Sequence, residues 1–328
     1  MKSIAIIITA FAATAVSLPQ LFADEVPPLP QNAFSIVVLP DTQAYVTEKS
    51  EPTFASEVSW ILKNQAAQNI VFVSHVGDII NKYGADDEWT IARRQMLRLS
   101  DHVPFGISVG NHDMQSNGQS QKFQATFPAS MFQQQPWYGG QLKNNSNSCQ
   151  LFSAGGLDFV IVHLECNAPD DVLDWANEIL TQHADRRAII TTHMYLGPRD
   201  RPVNSDDFYS APKDRMRWHK THGKRGNTPQ QMWDKCFRQH SHLFLICCGD
   251  QSRTQAMYRS VQGDNGNTVH ECLSDYRGGF FRIYRFVPGD DQIQVVTYSA
   301  QQKVLCSGTK IAPNADDHQF VLNYHVTK

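Results

Sequence analysis

Five stretches of this chain run from a short apolar segment straight into a polar side chain that can bind a metal ion or a phosphate. Phe34 to Leu39 leads into Pro40-Asp41-Thr42-Gln43, and Ile70 to Val76 leads into Gly77-Asp78. Phe105 to Val109 leads into Gly110-Asn111-His112-Asp113, Ala188 to Thr192 into His193, and Leu243 to Cys248 into Gly249-Asp250-Gln251-Ser252. Apolar, β-branched runs of this length read as strands covered on both faces. In open α/β sheets, ligands bind beyond the carboxyl ends of the strands. The five exits therefore constrain fold and function together.

Between these strands the apolar spacing is helical. Phe54, Val58, Ile61 and Leu62 mark one helix, and Trp89, Ala92, Met96 and Leu99 a second, with Asp86 or Asp87 expected at its N-cap. Val172, Trp175, Ala176, Ile179 and Leu180 mark another. Thr228-Pro229 opens one more as N-cap and first helical residue. Gly155-Gly156 reads as a hairpin turn. Residues 114–150, rich in Gln, Asn and Ser, read as a long loop or lid, with packing as the first reading of Trp137-Tyr138 and stacking on a substrate as the second. From Val269 the helices stop, and strands are expected over 269–273, 280–286, 293–298 and 320–326. Helical units first and a β-rich end after predict one α/β domain of two packed mixed β-sheets flanked by helices.

The chain has 328 residues, 41% of them hydrophobic and 19% charged, an ordinary globular balance. Residues 1–23 (Met1-Lys2, an apolar run, then Leu21-Phe22-Ala23) read as a secretory signal peptide, and 24–32 as a Pro-rich leader. The domain then spans 33–328, and the expected localisation is secreted or periplasmic. Loss of Lys2 leaves 28 basic against 32 acidic residues. That balance argues against nucleic acid as a stable partner, and no other run is long and apolar enough to be a membrane span. The seven cysteines have no zinc-knuckle spacing; an exported chain can form disulfides, the odd count leaves at least one unpaired, and Cys247 and Cys248, inside an apolar strand, read first as buried structural residues.

Hard oxygen donors together with imidazole hold divalent cations. A pair of such ions roughly 3.5–4 Å apart can clamp a phosphoryl group. The ordered set Asp41-x-Gln43, Gly77-Asp78, Gly110-Asn111-His112-Asp113, His193 and Gly249-Asp250-x-Ser252 resembles the motifs of the calcineurin-like metallophosphoesterases over roughly residues 34–300. Leu39-Pro40-Asp41-Thr42-Gln43 also looks like a subgroup with Gln in place of the first histidine. The resemblance implies a four-layer sandwich and hydrolysis of phosphate mono- or diesters by metal-bound hydroxide at a binuclear site. It implies Asp78 as the bridge, Asp41 and Gln43 at the first metal, and Asn111, His193 and Asp250 at the second. His112 would contact the phosphate or protonate the leaving group, oriented by Asp113.

The chain departs from that pattern where Gln43, Asp250 and Ser252 stand in place of family histidines. The site becomes richer in oxygen, which predicts manganese, magnesium or calcium over zinc or iron. Ser252 is expected to bind no metal directly. Asp250 is read as a ligand, with an ion pair to Arg253 as the other reading. His75 reads equally as a residue orienting a ligand or as a core histidine, and His163 as core. The basic run from Lys213 to Arg225 reads first as a solvated loop and second as an overhang for an anionic substrate. Two rival functions remain: a non-catalytic or single-metal phosphate-binding protein, and a secreted nuclease or nucleotidase.

Overall fold

The computed structural model describes residues 25–197 and 219–324. The expected signal peptide lies outside the described residues, as do Lys213, Arg215 and Arg217 of the basic run. The chain order is β1 (Phe34–Leu39), α1 (Glu51–Asn64), β2 (Ile70–His75), α2 (Asp86–Met96), β3 (Phe105–Ile107), α3 (Gln121–Thr126), β4 (Tyr138–Leu142), β5 (Asn147–Ala154), β6 (Leu157–His163), α4 (Asp170–Gln182) and β7 (Arg187–Thr191). A helix at Pro229–Lys235 follows, then β8 (Leu243–Cys248), β9 (Ala256–Gln262), β10 (Thr268–Ser274), β11 (Phe280–Val287), β12 (Gln292–Ser299), β13 (Val304–Leu305) and β14 (Phe320–Asn323).

Two mixed sheets form the middle of a four-layer α/β sandwich. One runs β13-β12-β11-β1-β2-β3, with β14 also on β12, and the other runs β4-β5-β6-β7-β8-β10-β9. Every residue of β1 is buried because both faces are covered. Phe34, Ile36 and Val38 enter the core between the sheets, while Val37 and Leu39 face a core shared with α1 and α2. β6 repeats this, with Phe159 and Ile161 between the sheets and Val160 and Val162 toward α4. Alternation of side chains along a strand produces both patterns.

β1, β2 and β3 are parallel neighbours in one sheet. β6, β7, β8 and β10 are parallel neighbours in the other. These parallel sets carry the strand exits singled out in the sequence.

Three local expectations are corrected. Ala85, not Asp86 or Asp87, is the N-cap of α2, and no side chain caps it. Both carboxylates sit in the first turn, where the helix dipole favours negative charge. Residues 114–150 are not a single loop, since they hold α3, β4 and the start of β5. β4 is an edge strand rich in Gly and Gln, so it lacks the apolar run that marks a covered strand. β9, another edge strand, is absent from the sequence expectation because its burial alternates along its length.

All seven cysteines are free and buried. No helix among the described residues is long and apolar enough to cross a membrane.

Candidate metal centre

The parallel strands deliver their side chains to one carboxyl edge. Asp41 follows β1, Asp78 follows β2, and Asn111, His112 and Asp113 follow β3. From the other sheet, His193 follows β7 and Asp250 follows β8. Ligand atoms of Asp41, Asp78 and His193 all lie within 4.8 Å of one another, and all three residues are buried. This cluster can hold one divalent metal ion.

The His193 imidazole fixes the centre. Its Nδ1 lies 2.9 Å from the Val76 carbonyl oxygen, an acceptor, so Nδ1 carries a hydrogen. That leaves Nε2 for the site. It lies 3.1 Å from Asp78 Oδ1, 3.1 Å from Asn111 Oδ1 and 3.8 Å from Asp250 Oδ1. One nitrogen and three oxygens thus converge, and a backbone carbonyl holds the imidazole tautomer, as is usual for metal-binding histidines. Burial opposes charge on His193, but Asp78, Asp41 and Asp250 outweigh it and hold its pKa well above the ordinary value. Burial also pushes Asp250 up to about 7. The donor set fits a divalent cation, which would replace the protons these groups otherwise share.

Asp78 is the hub on the opposite side. Its Oδ1 accepts from the His112 backbone N–H at 2.9 Å, and its Oδ2 from Gln43 Nε2 at 3.1 Å. Burial acts to raise its pKa, but His193 and His112 reverse that and leave it lowered, so Asp78 stays a carboxylate. The close approach depends on Gly110, where a side-chain carbon would collide with the Asp78 backbone and carboxylate.

His112 is partly exposed, with 38% of its side chain accessible. Its Nδ1 lies 2.6 Å from the Asn81 carbonyl oxygen, which leaves Nε2 unbound, 3.9 Å from Asp78 Oδ2. A cavity of about 670 Å³ opens beside it, lined among the described residues by Asn81, Tyr83, Asn111, Gln115, Asn117 and others, none of these Lys, Arg, Asp or Glu. Asp113 does not orient this imidazole. Its carboxylate instead accepts from the backbone N–H groups of Gly110 at 2.8 Å, Ile79 at 3.2 Å and Ile80 at 3.1 Å. It pins the loops after β2 and β3 together. Burial, then Asp78, pushes Asp113 up to about 6 against the pull of those donors.

His75 plays a comparable positioning part. Its Nδ1 accepts from Gly77 N–H at 3.1 Å, so its Nε2–H donates to Thr42 Oγ1 at 3.0 Å. Burial holds its pKa down at about 3, so it stays neutral. It thereby ties the turn bearing Asp41 to the turn bearing Asp78. His163 is a core residue, bonded to Ser74 and Gln150.

Gln43 reaches the cluster, but its amide nitrogen, not its oxygen, faces Asp78. Asp250 is bonded to Gln251 Nε2 at 2.5 Å. Asp41 Oδ2 accepts from the Asp250 backbone N–H at 3.1 Å, while its Oδ1 is buried with no hydrogen-bond partner. Burial, then the neighbouring Asp275, raises Asp41 well above the usual carboxylate range. Asp275 had no part in the sequence expectation. It follows β10 directly, so the strand-exit rule that selected the others applies to it as well.

No family model matches the chain. Over 85% of its length it is 27% identical to the uncharacterized protein YvnB of Bacillus subtilis strain 168, and it spans only 21% of that protein. Its fold is similar to purple acid phosphatase PPD1 from yellow lupin seeds, with TM-score 0.56 and 11% identity over 92% of this chain and 56% of that one. GAP50, the anchor in the inner membrane complex of Plasmodium, aligns with TM-score 0.49 and 8% identity over 91% of this chain and 90% of that one. The fold resembles the calcineurin-like metallophosphoesterase fold, and the site is a buried Asp/Asp/His cluster that can hold a metal ion.

Proposed function

We propose that this chain is a metal-dependent phosphoesterase that hydrolyses phosphate mono- or diesters. The observation that carries the reading is the convergence of His193 Nε2 with oxygens of Asp78, Asn111 and Asp250, beside an unbound His112 Nε2 at the mouth of a cavity. A divalent ion held there would polarise the phosphoryl group and supply a nucleophile from water at neutral pH. His112 Nε2 gives a proton to the leaving oxygen, its ring held by the Asn81 carbonyl. Asp78 and His193 would hold that ion, Asn111 positions the phosphoryl group, and Asp113 and His75 hold the loops that carry them.

Three oxygens against one nitrogen favour manganese, magnesium or calcium over zinc or iron. The amide and hydroxyl side chains of the cavity suit a polar, uncharged leaving group. A second ion would lie toward Asp41 and Gln43. The apolar run and small residues of 1–23 support export, hence a secreted or periplasmic protein. A single-metal phosphate-binding role is the second reading, because Gln43 offers its nitrogen to Asp78 and not an oxygen to a metal.

The test is metal content of protein purified without added metal, together with a panel of mono- and diesters assayed with manganese. Turnover that collapses in His112→Ala supports the reading. No turnover on any ester, with one ion held, supports the binding role. Stoichiometric zinc or iron would overturn the metal preference.

A further inference from the structure

Asp275 is a buried carboxylate at the same sheet edge that the proposed phosphoesterase chemistry leaves unused. It is 1% exposed. Its backbone N–H bonds to the Gln255 carbonyl at 2.9 Å, but its side-chain Oδ1 is buried without any hydrogen-bond partner. A buried carboxylate oxygen with no donor is costly unless a cation or a proton satisfies it.

Its position in the fold is that of a ligand. β8 and β10 are parallel neighbours in which Cys248 pairs with Leu273. Asp250 lies two residues beyond Cys248, and Asp275 two beyond Leu273, so the two carboxylates leave adjacent strands at matching points. Asp41 arrives from the other sheet and rests over Gly249, where a side-chain carbon would collide with its Oδ1. That Oδ1 is the second buried carboxylate oxygen at this edge without a partner. The charges of Asp41, Asp78, Asp250 and His193 all act on Asp275 or are acted on by it. Arg277, exposed two residues further on, also acts on Asp275, but no ion pair joins the two among the described residues.

We propose that Asp275 is a metal ligand that, with Asp41, completes a second cation position beside the His193-centred one, in place of the nitrogen donors this chain lacks at Gln43 and Ser252. The inference rests on the metal-dependent reading above. Asp41 and Asp275 each bring one unpaired oxygen. An all-oxygen position of this kind selects a hard divalent cation.

The experiment is manganese binding to the full chain by calorimetry and elemental analysis, in wild type, Asp275→Asn and Asp275→His, with thermal melts of each in chelator. Wild type should take up two manganese ions per chain and Asp275→Asn one. The metal-free Asp275→Asn protein should melt at or above metal-free wild type, because the change removes repulsion against Asp41. Asp275→His should regain the second ion with zinc preferred over manganese. Two ions retained by Asp275→Asn with unchanged affinity would remove Asp275 from the ligand set. A metal-free Asp275→Asn protein melting well below wild type would make Asp275 a structural residue and overturn the proposal. A wild type that binds one ion would also overturn it while leaving the His193-centred reading intact. A wild type that binds none would overturn that reading itself.

Discussion

Titrating manganese into the metal-free protein should release protons, and their number follows from the groups that surround the cation position. His193 holds its Nε2 proton because the carboxylates of Asp78, Asp41 and Asp250 keep its pKa well above the ordinary value. Asp250, pushed up to about 7 by burial, is half protonated at neutral pH. Asp41 is raised well above its ordinary value, whereas Asp78 is lowered and has no proton to give. These groups share one field, so protonating one weakens the hold of the next, and the expected release is about two protons per ion at pH 7. The sign is fixed: the protons belong to the metal-free form, so acid favours that form and affinity rises with pH. Two protons correspond to about a hundredfold loss of affinity from pH 7 to pH 6, or roughly 2.7 kcal/mol. Calorimetry in two buffers of different ionisation enthalpy at pH 6, 7 and 8 counts the protons directly. His193→Ala should lower the count by about one. A binding enthalpy independent of buffer, with affinity changing less than about threefold over this range, would refute the placement of the ion among these groups.

Other perturbations test the supporting residues. Asp113→Ala leaves three backbone N–H groups without their acceptor and should cost about 3–5 kcal/mol in urea unfolding; a cost under about 1 kcal/mol would show that the carboxylate does not pin the two loops. His75 is neutral in the fold at a pKa of about 3, so its contribution is present above its unfolded value near 6.5 and is lost as pH falls toward 3. His75→Leu should therefore flatten the acid limb of stability by about 1.4 kcal/mol per pH unit in chelator, at a neutral-pH cost of about 1–3 kcal/mol from the unpaired Gly77 N–H, since the Thr42 hydroxyl still donates to the Ile79 carbonyl. Trp137 packs against Phe105 and Phe132, so Trp137→Ala should lose about 3 kcal/mol of stability with KM unchanged. A tenfold rise in KM would instead assign the ring to substrate.

The fold was legible where strands are covered on both faces. β1 and β8 coincide with their apolar runs, because a strand buried on both sides has no polar face to interrupt it. The edge strands β4 and β9 were not legible, since one flank lacks a partner and their sequences alternate or thin to glycine. At the site, Asp41, Asp78, Asn111, His193 and Asp250 were each named from a strand exit. A strand exit says which side chain reaches the sheet edge, not which atom faces which. For that reason Asp113 turned out to bind backbone and not His112, and Gln43 to present its nitrogen. Asp275 was not legible for a different reason: Ser274, not glycine, precedes it, and His270 and Glu271 interrupt the apolar run of the strand that leads to it.

The centre is divided between the two sheets, and this makes its geometry a property of the packing between them. Asp41, Asp78 and Asn111 come from one sheet, His193 and Asp250 from the other, so the 3.1 Å separation of His193 Nε2 from Asp78 Oδ1 is an inter-sheet distance. A polar seam holds the sheets together just below the site. Ser108 Oγ donates to the Thr191 carbonyl at 2.8 Å, Thr191 Oγ1 to Ser74 Oγ at 3.3 Å, and the Cys166 N–H to the Val109 carbonyl at 2.7 Å. Further down, Phe34 lies between Phe286, stacked at 4.8 Å, and Phe159, edge-on at 5.7 Å. A close-packed core transmits small volume changes to what rests on it. The donor atoms are rigid only as far as this seam and this aromatic layer are. The spacing of the donor atoms then depends on Ser74, Thr191 and Phe159, which lie outside the cluster, as well as on the clustered side chains themselves.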